Sequence, residues 1–272
     1  MNFTVEKEQE LLEFLLEKIK NKSKNTIKSL LSHEMVLVNK KVITKYNYLL
    51  KKNYTVEIIK KINDIDIIYE DNNIIVVNKP SGVLSISTEK ETEKTLYKYI
   101  SDYVKKSNKN AKIFVVHRLD KDTSGIVIFS KNQDFKNKLQ QNWNDEVIRN
   151  YYAVVEGILE KKSGTIKSYL KENSFHKTYS SNNGELAITN YEVIKTNDLY
   201  SLLKVNIKTG KKNQIRVHLS DINHPIVGDK KYGSKIRAKR LMLCAYNVEF
   251  KNNSKYKFEI PYPEEFKKYI KA

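Results

Sequence analysis

The stretch IFVVHRLDKDTSGIVIF, residues 113–129, places a cluster of charged side chains between two apolar segments of four residues each. Those flanking segments have the length and composition of buried strands. Between them lie two carboxylates, Asp120 and Asp122, with His117, Arg118 and a glycine that permits a tight turn. Polar side chains held at the end of a sheet are a usual place for chemistry, so we expect a functional site here.

Either aspartate of this loop is a candidate for chemistry. An arginine a few ångströms away would lower the pKa of a carboxyl and favour a nucleophile or base at neutral pH. The alternative is that Asp120 and Asp122 only make turn hydrogen bonds, as most loop aspartates do. The residues alone leave both interpretations open.

The chain is strongly basic, with 50 Lys+Arg against 32 Asp+Glu and a net charge of +18. Such a charge indicates a polyanionic partner, although a solvated lysine-rich surface would give the same composition. Arginine is scarce in this lysine-rich chain, so each one indicates a need for a planar, bidentate guanidinium. The five arginines are Arg118, Arg149, Arg216, Arg237 and Arg240.

The sequence lacks the signatures of several protein classes and of several kinds of functional site. No apolar run is long enough for a membrane span, and no signal peptide is evident. The single cysteine, Cys244, excludes an intramolecular disulfide and favours a cytoplasmic location. There is no phosphate-binding lysine loop, no dinucleotide glycine motif, no zinc spacing and no serine-hydrolase elbow. The sequence thus lacks the motifs of these nucleotide-binding, zinc-binding and serine-hydrolase sites.

The N-terminal 62 residues predict a small separate module. Residues 5–20 have the apolar stripe of an amphipathic helix, and Ser23 is a candidate N-cap for a second helix. Residues 36–43 predict a hairpin and 55–59 a strand. This pattern resembles the ribosomal-protein-S4-like RNA-binding domain; the alternative is a helical cap on the next domain. The resemblance implies RNA contacts from lysines of this module: Lys22, Lys24 and Lys28.

Residues 63–272 predict the main domain. Strands are expected at 67–69, 74–77, 147–155, 165–170, 187–194, 200–207 and 241–250, with helices at 95–104 and 134–143 and a short one at the C-terminus. Strands outnumber helices and do not alternate with them. The fold class is therefore α+β, with a mixed, largely antiparallel sheet.

Five ordered motifs identify this domain as resembling the RluA-type pseudouridine synthases. They are HRLDKDTSGIVIFSKN (117–132), NKPSG (78–82), RNYYAVVEG (149–157), GKKNQIRVHL (210–219) and HPIVGDKKYG (224–233). The family isomerises uridine in RNA to pseudouridine without a cofactor or metal. Asn213 and Cys244 depart from its usual pattern and are expected to flank the cleft.

The resemblance assigns roles to individual residues. Asp120 is the expected catalytic carboxylate, Tyr151 the ring that packs on the target base, and Arg216 the partner that pairs with Asp120. Asp122 becomes part of the turn that holds Asp120. Contacts with RNA are expected from four further residues: Arg118, His117, Lys79 and Arg149.

The resemblance also implies a partner. We expect a monomer that acts on RNA, with large-subunit ribosomal RNA as the first expectation and transfer RNA as the second. The alternative to an enzyme is a non-catalytic RNA-binding or ribosome-assembly protein on the same fold. The presence of Asp120, Tyr151 and Arg216 together argues against this alternative.

Overall fold

The computed structural model describes residues 2–19, 23–32, 35–58, 65–87, 95–252 and 254–270. The chain divides into two compact units, Met1–Asp64 and Ile65–Ala272. The boundary predicted from the sequence, between residues 62 and 63, lies outside the described residues. Among the described residues, no helix is long and apolar enough to cross a membrane.

The first unit combines two helices with short strands. In chain order its elements are β1 (Asn2–Thr4), β2 (Gln9–Glu10), α1 (Leu11–Lys18), α2 (Lys24–Ser32), β3 (Val36–Val38), β4 (Lys41–Val42), β5 (Leu49–Leu50) and β6 (Thr55–Ile58). Four strands form a sheet in the order β1-β6-β3-β4, and β2 pairs with β5. Apolar side chains from α1, α2 and the sheet form one core.

The local signals in this unit explain its elements. The Ser23 hydroxyl accepts a hydrogen bond from the backbone N–H of Thr26 at 3.2 Å, as predicted for a helix cap. Asn39 and Lys40 both have positive φ, which gives the β3–β4 hairpin a tight two-residue turn. The first helix begins six residues later than predicted, because residues 9–10, directly before it, pair with β5 as a strand.

The second unit is built on one large sheet. Its elements are β7 (Asp66–Glu70), β8 (Ile74–Lys79), α3 (Leu96–Ser107), β9 (Phe114–Val115), β10 (Ser124–Ser130), α4 (Gln133–Gln141), α5 (Trp143–Glu146), β11 (Ile148–Glu156), β12 (Ser163–Glu172), β13 (Thr178–Ser181), β14 (Glu185–Thr196), β15 (Tyr200–Ile207), α6 (Gln214–Asp221), β16 (Leu243–Asn252), β17 (Ser254–Glu259) and α7 (Glu264–Ile270).

The sheet has eleven strands, and its main path runs β13-β12-β14-β15-β11-β16-β10-β8-β7. Strand β17 pairs with β16, and β9 pairs with β10. The contact between β10 and β16 is parallel and all other pairs are antiparallel. The predicted α+β class and largely antiparallel sheet are confirmed.

The parallel contact brings β10 against β16 directly after the 117–123 loop. Gly125 lies opposite Ala245, and a Cβ on Gly125 would meet the Ala245 carbonyl oxygen at 2.1 Å. Its φ of +116° is also one that side chains rarely adopt. Glycine is therefore required here, and the close approach fixes where the loop ends.

The strand predicted to enter the loop is shorter than expected. Only Phe114 and Val115 pair with β10. The Gln140 side chain on α4 donates to the carbonyl oxygens of Val115 and Val116 at 3.2 and 2.8 Å, so a side chain takes the place of a neighbouring strand. Strands β13 and β17 were missed by the sequence patterns.

Candidate active site

The loop at 117–123 is fixed by side chains of the preceding NKPSG segment. Lys79 Nζ donates to the carbonyl oxygen of Lys121 at 2.9 Å, and Ser81 Oγ to that of Asp122 at 2.6 Å. Ser85 Oγ both donates to the carbonyl of Leu119 at 2.7 Å and accepts from its N–H at 3.0 Å. Each contact holds a backbone group beside Asp120, so the position of this carboxylate is set by the loop and not by its own side-chain bonds.

The structure places Lys79, a predicted RNA contact, inside the protein. Its side chain is fully buried, and besides Lys121 its Nζ donates to the carbonyl oxygens of Val83 at 2.7 Å and Pro80 at 3.2 Å. Burial lowers the pKa of this ammonium group to about 7, against the opposing effect of the nearby Asp122 and Asp120. Lys79 therefore has a structural role, because its hydrogen bonds connect the loop after β8 with the 117–123 loop.

One cavity of about 300 Å³ collects the expected catalytic residues. Asp120, Tyr151 and Arg216 all line it, although they come from a loop, from β11 and from α6. Apolar side chains complete the wall: Val116, Leu119, Ile207, Ile215 and Leu243. Cys244 is buried and is not among the lining residues, which corrects the expectation that it flanks the cleft.

The Asp120 carboxyl group is half-buried and makes no hydrogen bond within the described part of the chain. Burial raises its pKa, while the positive charges of Arg216 and Arg118 act in the opposite direction. The net direction is upward, so the expectation that arginines hold this pKa low is corrected. A carboxylate with a raised pKa is a stronger proton acceptor than an exposed aspartate.

Arg216 has a different partner from the one predicted. Its Nε and Nη2 donate to the two carboxylate oxygens of Asp229, both at 2.7 Å, and its Nη1 donates to Asn213 Oδ1 at 2.9 Å. The pairing with Asp120 is therefore electrostatic and not a hydrogen bond. Asp229 and Asn213 leave the guanidinium no rotational freedom, so its charge is fixed beside Asp120.

The Tyr151 ring is almost wholly buried in the cavity wall. Burial raises the pKa of its phenol to about 12, and the charge of Asp120 acts in the same direction. The phenol is therefore neutral at physiological pH. Tyr152 lies on the opposite face of β11, where its ring stacks on Tyr246 with 3.7 Å between centroids.

His117 and Arg118 line the same cavity but differ in exposure. His117 Nε2 accepts a hydrogen bond from the Ile128 N–H at 3.0 Å, and the ring stacks on Trp143 with 4.5 Å between centroids. Burial lowers the pKa of His117 to about 3, so this residue brings no positive charge to RNA. Arg118 is exposed and is thus available to a ligand.

The other predicted RNA contacts are distributed between the two units. Arg149 is buried and lines the cavity. Lys24 and Lys28 are exposed and stand one turn apart on α2. Lys22 lies outside the described residues.

The sequence patterns missed three residues of the site. Asp229, the partner of Arg216, was present in the HPIVGDKKYG motif but received no role. Trp143 and Asn144, on the short helix α5, also line the cavity. A single tryptophan in the chain was a signal that could have drawn attention to this position. Within the described residues, no group of three His, Cys, Asp or Glu side chains could hold a metal ion.

Comparison with known proteins identifies the family of this second unit. The family model described as RNA pseudouridylate synthase matches residues 73–221. An uncharacterized RNA pseudouridine synthase of Bacillus subtilis is 33% identical over 226 residues, which cover 78% of this chain and 74% of that protein. The ribosomal large subunit pseudouridine synthase D of Borreliella burgdorferi is 37% identical over 216 residues, covering 74% and 66%.

A solved structure supports the fold. The human RNA pseudouridylate synthase domain containing 4 superposes with a TM-score of 0.65 at 22% identity, covering 74% of this chain and 90% of that one. The architecture of the sheet is therefore shared with a pseudouridylate synthase domain.

Proposed function

The chain belongs to the RNA pseudouridylate synthase family, and we propose that Asp120 is the catalytic carboxylate of this RNA-modifying isomerase. One observation carries the assignment. Asp120 is a half-buried carboxylate without a hydrogen-bond partner in the described residues, and it lines a cavity together with Tyr151 and Arg216. A charge left unpaired in such a place is expected where a ligand supplies the partner.

The reaction breaks the bond between ribose C1′ and uracil N1 and forms a bond between C1′ and C5 of the same base. The proton on C5 is lost and N1 gains one, so substrate and product are isomers and no other reactant is consumed. Asp120 serves either as a nucleophile toward C1′ or as a base toward the ribose 2′ proton. Its raised pKa suits the removal of a proton, including the one on C5.

Three other residues of the cavity support the reaction. The neutral Tyr151 ring offers a flat face on which the uracil stacks while it turns in its own plane. The Arg216 charge, fixed by Asp229, stabilises the Asp120 carboxylate at the moment when it must be ionised. Arg118 at the mouth occupies the space left by the flipped nucleotide.

The test is release of tritium from RNA labelled at uracil C5. Wild-type protein is expected to release it, and Asp120→Asn is expected to bind the same RNA without release. Asp122→Asn, on the exposed neighbouring carboxylate, is the matched control and is expected to keep much of the activity. Release by Asp120→Asn at the wild-type rate would overturn the assignment, and absence of release by wild type on any RNA would support a non-catalytic role.

We propose large-subunit ribosomal RNA as the substrate. The similarity to the ribosomal large subunit pseudouridine synthase D of Borreliella burgdorferi supports this choice. Mapping of pseudouridine in total RNA of a strain that lacks the gene decides it. A missing modification in transfer RNA, with large-subunit ribosomal RNA unchanged, would contradict the proposal.

We also propose that the first unit binds RNA through the lysines of α2. Lys24 and Lys28 are exposed and project from one helical face, so they present two charges to a phosphate backbone. Lys24→Glu with Lys28→Glu is expected to weaken RNA affinity and to lower its salt dependence. The same charge change at Lys105 and Lys109, exposed residues of the second unit, is the control. Equal effects of both pairs would contradict a specific role for α2.

A further inference from the structure

Arg149 is a buried cation with almost none of its hydrogen-bonding capacity used. Its guanidinium carries five N–H donors, and among the described residues only Nη2 has an acceptor, the carbonyl oxygen of Lys208 at 3.2 Å. Its Nε is buried without a partner in the described residues. The residue is 4% exposed, and no described carboxylate pairs with it. Burial lowers the pKa of this guanidinium, as expected for a charge that lacks compensation.

Two other arginines of this unit show how a guanidinium is satisfied within the chain. Arg240 Nη2 donates to Ser124 Oγ, and its Nε donates to the Leu241 carbonyl at 3.2 Å. Arg216 is likewise satisfied by Asp229 and Asn213. A buried charge without such partners destabilises the fold, and an apolar side chain would fill the same space at lower cost. The presence of this buried guanidinium therefore indicates that a ligand supplies its missing partners.

The surroundings of Arg149 leave one side of the guanidinium open to the cavity. Trp143 covers another side, with 5.9 Å between the Arg149 Cζ and the ring centroid. Gly210 lies opposite, and a Cβ there would come within 2.9 Å of Arg149 Nη1. The same position is 3.8 Å from Asn144 Oδ1, so the Asn144 side chain lies near Nη1 but presents an acceptor there and no donor for an anion. Nη1 makes no hydrogen bond among the described contacts.

We propose that the Arg149 guanidinium forms a phosphate subsite for a phosphodiester group that flanks the target uridine. The inference rests on the proposed function, because it takes RNA as the ligand. An anion is favoured over a base edge, since only a full negative charge compensates a buried guanidinium. His117 nearby is neutral and adds no competing cation.

The position along the strand fits an adjacent nucleotide. Arg149 and Tyr151 are two residues apart on β11 and line the same cavity, which separates them by about 7 Å along the strand. With the uracil on Tyr151, Arg149 reaches a backbone group next to that nucleotide. The subsite therefore fixes how the strand enters the cavity and not which base is chosen.

The test combines substrate kinetics with stability. The probe is in vitro transcribed large-subunit ribosomal RNA labelled with tritium at uracil C5. Arg149→Met is expected to raise KM at least tenfold with a much smaller change in kcat, and to lower the slope of log affinity against log salt by about 0.7, the loss of one phosphate contact. Arg149→Lys, which restores a charge, is expected to recover most of the slope. Asn144→Ala is expected to raise KM less than Arg149→Met does.

Stability separates this role from a structural one. Arg149→Met is expected to raise the melting temperature, because an uncompensated charge is removed, whereas the control Arg240→Met is expected to lower it. Phosphate-ethylation interference on the bound RNA should lose one position beside the target uridine in Arg149→Met and none in Arg240→Met.

The outcomes distinguish the two proposals. An active wild type, with Arg149→Met unchanged in KM, salt slope and interference pattern, would overturn the subsite alone. A lower melting temperature of Arg149→Met with unchanged KM would also overturn it and indicate a structural arginine. Absence of tritium release by wild type would count against the proposed function, and the interference pattern would then still decide whether Arg149 contacts a phosphate.

Discussion

Asp229→Asn removes the negative charge of this side chain and keeps its size, so the substitution tests the role of the charge alone. Asparagine keeps the size of the side chain and one oxygen, so the hydrogen bond that Asp229 Oδ1 accepts from the Tyr232 N–H at 3.2 Å can remain. What disappears is the negative charge opposite Arg216. We expect Arg216 to lose its orientation and the protein to lose both stability and activity.

The structure sets the magnitude. The Arg216 side chain is 10% exposed and that of Asp229 is fully buried, so solvent screens the pair little. Breaking a buried ion pair by removing one partner costs about 3–5 kcal/mol, because it leaves an uncompensated charge. For a folding unit of about 200 residues, each kcal/mol lowers the melting temperature by about 2–4 °C. The expected fall is therefore roughly 6–20 °C.

The assay is thermal unfolding followed by circular dichroism, with tritium release measured well below the melting temperature of each variant. Glu185→Gln is the matched control: Glu185 pairs with Lys211 at 2.6 Å, but its side chain is 71% exposed. An exposed pair contributes at most about 1 kcal/mol. Equal shifts for the two variants would refute the reasoning, as would a folded Asp229→Asn protein that keeps the wild-type rate.

Three further predictions concern the same site. Asp120→Asn should raise the melting temperature at pH 7–8. Burial raises the folded-state pKa of the Asp120 carboxyl above its unfolded value, so the ionised carboxylate destabilises the fold. The gain should vanish as the pH falls below about 4, and a pH-independent difference would contradict the prediction. Lys79→Met should cost about 2–4 kcal/mol in urea unfolding, since three carbonyl oxygens lose their donor, whereas the exposed Lys121→Met should cost little; similar values would contradict the role of Lys79. Tyr151→Phe should keep RNA affinity in filter binding, while Tyr151→Leu should lose about 1–3 kcal/mol of stacking; equal affinity of the two variants would argue against a stacked base.

The sequence was informative where a local pattern carries the physical cause. The polar loop around Asp120 was predictable because apolar strands flank it and Gly125 permits the turn. The second helix was predictable from the Ser23 cap and its apolar stripe. The α+β class followed from the number and spacing of strands.

The errors arose where long-range contacts decide. Lys79 looks like a surface lysine in the sequence, but β8 lies between β7 and β10, so its last side chain is enclosed by the loops at that end. Arg216 had two carboxylates available, and only the fold decides that Asp229 hydrogen-bonds with it. Residues 5–10 have a helical pattern, but the pairing of β1 with β6 and of β2 with β5 overrides it.

The cavity holds charges of both signs that lack full partners among the residues that the structure describes. There, Asp120 is a carboxylate without a hydrogen bond, and Arg149 is a guanidinium with one. No salt bridge joins the two among the described residues, and the arginine charges that act on Asp120 are those of Arg216 and Arg118. A nucleotide has a ribose that engages a carboxylate and a phosphate that engages a guanidinium, so one ligand compensates both.

At Asp120 and Arg149, a charge that serves the proposed function lowers the stability of the free protein. Removing either charge is expected to stabilise the free protein, whereas removing the satisfied Asp229 is expected to destabilise it. Arg149 and Asp229 are both buried, whereas Asp120 is half-buried, so burial alone does not separate the two kinds of residue. They differ in whether the described part of the chain supplies their partner. A variant that is more stable than the wild type therefore indicates a residue whose partner is the substrate. A variant that is less stable indicates a residue that maintains the structure of the site.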